Sequence, residues 1–257
     1  MAQSQRSYMA NPGILVVVPT YNEAENILPL VRALLAHPAD LHVLVVDDQS
    51  PDGTGELVEA EQSRMPAAEK LRLHLLRRPE KQGLGNAYRH AMVWALEQGY
   101  SKIVQMDADF SHSPEDLHRL LEASDSSDLV LGSRYIPDGK IVGWSAYRQL
   151  LSRCANIYAR WVIGLPLHDL TGGFKCYRRE ALLALDISTL HSGGYTFQLE
   201  TTTRVVRQGF RVSEVPITYR ERVSGKSKIS SVRTIVETLA LVLRLGLQRT
   251  GSTRTTS

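Results

Sequence analysis

Cysteine is nearly absent: Cys154 and Cys176 sit in no paired-ligand spacing, which excludes a disulfide framework and a cysteine-built zinc site. A reducing cytosol is the simpler setting for such a chain. Residues Met1 to Pro12 are polar, lack the apolar run of a secretory signal, and read as a short disordered lead-in. The apolar segment near the C-terminus falls short of the roughly 20 residues that a bilayer span requires. Net charge is small as well, at +3. No internal repeat is present, and the polar tail 250–257 is the one low-complexity tract.

What is present suits a folded domain. With 257 residues, 43% hydrophobic and 22% charged, the chain can bury a sizeable core. The small net charge hides an asymmetry, because residues 1–132 carry a net −8 and residues 133–257 a net +11. A basic half of that size points to nucleic acid, an anionic membrane or a phosphate substrate.

The first half alternates β-branched runs with helical patterns. Strands are expected at Ile14 to Val18, His42 to Val46, Leu71 to Leu75, Lys102 to Gln105 and Asp128 to Leu131. Helices are expected near Glu23 to Ala36, Gly53 to Arg64, Gly83 to Gln98 and Pro114 to Leu121. Such a βαβ series makes an α/β fold with a mostly parallel central sheet flanked by helices, and its ligands lie beyond the carboxyl ends of the strands. The loops after Val18, Val46 and Gln105 are therefore the candidates for a site. Past Gly132 come a longer helix, Ala146 to Ile163, a Gly-Gly turn, helices at Arg178 to Leu185 and Thr196 to Gln208, and a strand at Arg211 to Val215. Apolar residues at 232, 235, 236, 239, 242 and 243 give an amphipathic helix over 231–249, suited either to a membrane surface or to closing the core.

Three loops carry chemistry. Asp107-Ala108-Asp109 follows a strand, and alternate carboxylates there can turn toward one hard divalent cation, Mg2+ or Mn2+; turn capping is the plainer alternative. Asp47-Asp48 follows another strand, where an acidic side chain suits a base or a ribose hydroxyl, while Asp52-Gly53 reads as a turn and helix cap. Pro19-Thr20-Tyr21-Asn22-Glu23 offers an aromatic for stacking and polar groups for a base edge, or simply a cap. Gly83-Leu84-Gly85 fits neither standard phosphate-loop spacing and reads mainly as a tight turn. In the basic half, Arg148 and Ser152 stand four apart on one helix face, a pairing that suits a phosphate. Arg222 to Lys228 holds three cations around a glycine, suited to a diphosphate or to anionic lipid. No aromatic and basic stacking motif supports nucleic acid.

Taken in order, Val18 to Glu23, Val45 to Thr54, Gly83 to Gly85, Met106 to Asp109, Gly132 to Arg134, Thr171 to Lys175 and Arg222 to Lys228 resemble the dolichyl-phosphate and polyprenol-phosphate mannosyltransferases. These are inverting family 2 glycosyltransferases with a single Rossmann-like GT-A domain, here spanning 13–230. The resemblance implies transfer of mannose from GDP-mannose to a polyprenyl phosphate. It implies that Pro19, Tyr21, Glu23, Val46 and Asp48 hold the guanosine, and that Asp107, Ala108 and Asp109 bind diphosphate and Mg2+ or Mn2+. Arg222 and Lys228 then close on the diphosphate, and Arg134, Arg148 and Ser152 receive the lipid phosphate. Asp107, Asp109 and Arg134 are the implied catalytic residues. Where relatives often carry a metal-binding Gln this chain has Ser111, a shorter oxygen ligand. Many relatives carry C-terminal membrane helices; this chain resembles the subgroup that meets its lipid peripherally, at the cytoplasmic face, alone or through a membrane-protein partner. Transfer of glucose from UDP-glucose and a non-catalytic membrane adaptor are the competing readings.

Overall fold

A computed structural model of the chain describes residues 13–190, 193–221 and 232–247. The β-branched runs form strands β1 (Ile14–Thr20), β2 (Leu41–Asp47), β3 (Leu73–Arg77), β4 (Lys102–Gln105) and β5 (Leu129–Ser133). Period-two alternation divides β1 cleanly. Leu15 and Val17 enter the core on one face of the sheet, Val16 and Val18 the core on the other.

Helices α1 (Ile27–Leu35), α2 (Thr54–Arg64), α3 (Ala67–Lys70), α4 (Leu84–Glu97) and α5 (Leu117–Ala123) link these strands. Helix α1 begins four residues later than its pattern suggests, because Glu23 and Ala24 donate their backbone N–H groups to Thr54 Oγ1 and Asp52 Oδ2 instead. Pro114–Asp116 is a 3-10 turn leading into α5 rather than part of one helix, with Ser113 capping Glu115 N–H. The third and fifth strands sit one or two residues later than expected.

The second half adds β6 (Lys140–Val142), α6 (Ala146–Ile163), β7 (Lys175–Arg178), α7 (Arg179–Ala184), α8 (Gly194–Arg207), β8 (Val212–Pro216), β9 (Thr218–Arg220) and α9 (Val232–Leu247). The main sheet has seven strands in the order β3-β2-β1-β4-β7-β5-β8. All its pairs are parallel except those of β7, which runs antiparallel between β4 and β5. No strand was expected at β7, since four residues reading Lys-Cys-Tyr-Arg carry little β signal. A small parallel sheet of β6 and β9 was likewise unexpected. It matters for the site, because Arg220 N–H donates to Ser111 O and so ties β9 to the loop after β4.

Among its described side chains, helix α9 docks by one face. Val242 and Leu245 are buried, and Arg207 donates to the Leu245 carbonyl, while Leu239, Leu243 and Leu247 are exposed.

Candidate active site

The loops after β1, β2 and β4 meet at the carboxyl edge of the sheet, and hydrogen bonds knit the first two into one wall. Asp47 Oδ1 accepts from Thr20 Oγ1 (3.0 Å) and Ser50 Oγ (2.6 Å), its Oδ2 accepts from Ser50 N–H (3.1 Å), and Ser50 Oγ accepts from Asn22 N–H (3.0 Å). Asp47 is thus a brace. Asp52 Oδ1 takes Thr54 N–H at 3.1 Å, the helix-entry role expected of it.

Asp48 differs. Arg78, just past β3, donates to its Oδ1 and also to Gln82 Oε1 (3.1 Å), and both Asp48 and Arg78 are buried. Burial pushes the Asp48 carboxyl above its usual range, and the Arg78 charge pulls back without cancelling that. Beside it, the Lys81 ammonium lies 3.3 Å from the centre of the Tyr21 ring. Glu23 accepts from Asn26 Nδ2 at 2.9 Å, and Pro19 is half-buried. Val46 has its side chain wholly in the core, so only its main chain can serve a nucleoside. The Gly83 turn has φ +90°, as a tight helix entry requires.

Around Asp107-Ala108-Asp109 the chain reverses at Phe110 (φ +57°). Ser111 N–H then donates to Asp109 Oδ1 at 3.0 Å. Asp107 N–H donates to His112 Nδ1 at 3.3 Å. His112 is buried, stacked on Phe174 with ring centres 5.1 Å apart and edge-on to Tyr219 at 5.6 Å. Burial lowers its pKa, and the Asp107 and Asp109 charges offset this only in part, so the ring is a neutral support for the aspartates. Tyr88, wholly buried, presents its hydroxyl to Asp107; burial and that carboxylate raise its pKa well above 10.

This donor set fits a divalent cation. Asp107 and Asp109 are hard oxygen ligands two residues apart, and Gly173 leaves room beside the first, since a Cβ there would stand 3.7 Å from Asp107 Oδ1. Among the described residues no group of three or more His, Cys, Asp or Glu could hold a metal, so water and donor phosphates would complete the shell. Ser111 is fully buried with its hydroxyl beside that of Tyr219.

Arg134 lies at the end of β5, buried and bound by Asp169. Its backbone N–H and Nε donate to Asp169 Oδ2 (3.0 and 2.7 Å), and Nη2 donates to Oδ1 (2.7 Å) and to Thr171 Oγ1 (2.9 Å). Burial pushes the Asp169 carboxyl up, but the guanidinium and its hydrogen bonds outweigh it and hold the group below the carboxylate range. With Nε and Nη2 committed, Arg134 can meet a ligand through Nη1. Tyr135, Trp144 and Tyr219 surround its guanidinium carbon at 5.2, 5.6 and 5.3 Å. The same aromatics gather the other acceptor candidates. Arg148 lies 4.0 Å over Trp144 and donates to Glu221 Oε1 at 2.7 Å, and Ser152 Oγ accepts from Tyr135 at 2.6 Å. Arg222 and Lys228 lie outside the described residues.

Sequence reasoning missed Arg78, Lys81, Tyr88, Tyr135, Trp144, Asp169 and Tyr219, and gave His112 no role. Asp169 carried a usable signal, standing two residues before the Thr171-Gly172-Gly173 turn. Helix α6 adds one more surface. Its buried residues Asn156, Ala159 and Ile163 face inward, while Tyr147, Leu150, Leu151, Ile157 and Trp161 form an exposed apolar stripe, Trp161 at 81%.

The family model for glycosyl transferase family 2 matches residues 15–185. The polyprenol monophosphomannose synthase of Mycolicibacterium smegmatis is 48% identical over 218 residues, covering 84% of this chain and 80% of that protein. The undecaprenyl-phosphate mannosyltransferase of Micrococcus luteus is 46% identical over 235 residues, covering 91% and 94%. Among solved structures, the glucosyl-3-phosphoglycerate synthase of Mycobacterium tuberculosis with Mn2+, UDP-glucose and phosphoglyceric acid superposes with a TM-score of 0.66 at 18% identity, covering 93% of this chain and 81% of that one. That last likeness concerns the fold, and it agrees with the GT-A-like architecture described above.

Proposed function

Because the chain belongs to glycosyl transferase family 2, we propose that it moves mannose from GDP-mannose onto a polyprenyl monophosphate, with inversion at the anomeric carbon. One observation carries this reading: Tyr219 touches His112 on one side and Arg134 on the other, so the aspartate centre and the cationic acceptor cluster share a wall. Two anionic substrates repel, and a site joining them needs cations facing one and a cation-binding carboxylate pair facing the other.

In the reaction the bond from the anomeric carbon to the donor phosphate breaks, a bond to the lipid phosphate oxygen forms, and GDP departs with the electron pair. A Mg2+ or Mn2+ ion bound at Asp107 and Asp109 would supply charge stabilisation for the departing diphosphate. Asp48, fixed by Arg78, accepts hydrogen bonds from guanine, and Tyr21 offers its face to the base. Glu23 and the Pro19 and Val46 main chains line the nucleoside. Arg134 Nη1, Arg148 and Ser152 receive the lipid phosphate, and Arg148 exchanges Glu221 for it. The acceptor needs no general base, since a phosphate monoester has its second pKa at about 6 and is already anionic. Arg222 and Lys228 close on the donor diphosphate in this reading.

The lipid would be met at the bilayer surface. No described helix is long and apolar enough to cross a membrane. The exposed stripe of α6, flanked by exposed Arg153 and Arg160, carries the apolar and cationic pairing that an anionic lipid surface attracts, and it lies on the helix that holds Arg148 and Ser152.

Radiolabelled GDP-mannose, a polyprenyl phosphate and Mg2+ test the assignment through organic extraction, with UDP-glucose in parallel. Label reaching the organic phase from GDP-mannose, and lost with chelator or in Asp109→Asn, is expected. Label from UDP-glucose instead would overturn the donor, and transfer that survives both chelator and Asp109→Asn would overturn the metal.

A further inference from the structure

A second convergence of metal-ligating atoms lies at the opposite end of the sheet. His42 is the second residue of β2, His74 the second of β3, and Tyr100 precedes β4, so the strand starts bring three side chains together far from the aspartates. His42 Nδ1 lies 3.3 Å from His74 Nε2 and 2.8 Å from the Tyr100 hydroxyl, which lies 3.1 Å from His74 Nε2. All three contacts are within hydrogen-bond distance, so both ring nitrogens and the phenol oxygen converge on one small triangle. A point about 2.0–2.1 Å from all three corners, the zinc to nitrogen distance, lies about 1 Å out of that triangle's plane. The edges also approach the roughly 3.3 Å separation of ligands on a tetrahedral ion of that size.

We infer that His42, His74 and Tyr100 form a site for one borderline divalent transition cation, Zn2+ or its relatives, with water in the fourth position. Two imidazoles and a phenol oxygen suit such an ion rather than Mg2+, which keeps to oxygen. Both histidines are half-buried and so remain reachable from solvent, while the Tyr100 ring is fixed between its neighbours, with Trp94 stacked on it at 6.0 Å and 5.1 Å from His74. A cation here would fasten the starts of β2 and β3 to the segment entering β4. It would take no part in transfer.

The test uses full-length protein stripped with chelator, in wild type and in an Asp109→Asn background that disables the other metal centre. Calorimetry with Zn2+ and visible absorption with Co2+ are read alongside thermal unfolding. One equivalent should bind, with a tetrahedral Co2+ spectrum and a raised midpoint. His74→Gln and Tyr100→Phe should each weaken binding at least tenfold and leave mannosyl transfer unchanged. Tyr100→Phe keeps the packed ring and carries the test if His74→Gln does not fold. Failure to bind one equivalent, or binding that survives a folded variant, overturns the inference.

Discussion

Replacing Asp169 by Asn tests whether Arg134 is held by charge or by shape. The substitution keeps the side chain's size and removes its charge, leaving a guanidinium buried among Tyr135, Trp144 and Tyr219 with no carboxylate in contact. Arg134 now makes three hydrogen bonds to Asp169, and an amide oxygen can accept only part of that set. Breaking a buried pair from one side costs about 3–5 kcal/mol. For a chain of this size that corresponds to a fall in Tm of roughly 10 °C. Replacing both partners, as Asp169→Leu with Arg134→Met, removes the stranded charge and should cost less than the two single changes summed. Urea melts of wild type, Asp169→Asn, Asp169→Leu, Arg134→Met and the double variant give the cost and the cycle. A cost for Asp169→Asn below about 1 kcal/mol, or strict additivity in the double variant, would refute the argument that the pair is an electrostatic clamp.

Two further outcomes are expected. Lys175 is wholly buried, with Nζ donating to Gln198 O (2.7 Å) and Thr202 Oγ1 (2.8 Å), and burial lowers its pKa to about 7. The unfolded chain therefore binds more protons than the folded one between about pH 7 and the ordinary lysine value, so its contribution to stability rises with pH across that window and is lost as pH falls through about 7. Urea midpoints measured at both ends of the window should rise more in wild type than in Lys175→Met, and equal slopes would sink the idea. Arg78→Met should weaken GDP binding by roughly 10- to 150-fold, since a hydrogen bond to a charged group contributes about 1.5–3 kcal/mol. It should also move the loss of GDP affinity on acidification to higher pH, because the Asp48 carboxyl loses the charge that holds its pKa down. Titration calorimetry across pH checks both, and an unchanged affinity would remove Arg78 from the nucleoside subsite.

Much of the fold was legible in the sequence because β1, β2, β4 and β5 are β-branched runs bounded by turn residues, and burial on both faces demands such composition. Strand β7 was not legible. Its Lys175 is a lysine in a fully buried position, tolerated because α8 supplies two acceptors that only the tertiary structure reveals. Among the candidate site residues, Asp107 with Asp109 stand out in the sequence by spacing, and Arg148 with Ser152 by helical periodicity. Partners distant in sequence could not. Arg78 lies 30 residues from Asp48, and Asp169 lies 35 from Arg134, so nothing local announces either pair. The roles of Asp47 and Asp48 also separate only in three dimensions, since one turns toward Ser50 and Thr20 and the other toward Arg78.

The strand order has a consequence for how the chain comes off the ribosome. Strand β5 does not pair with β4; the two are joined only through β7, which is made some forty residues after β5. Until Arg178 has been synthesised, the β1 to β3 layer can form, but β4 presents a bare edge and β5 has no place to dock. A chain cut between β5 and β7 should therefore yield two pieces with open edges rather than two domains, and folding of the whole waits on a four-residue strand that fastens the two halves together.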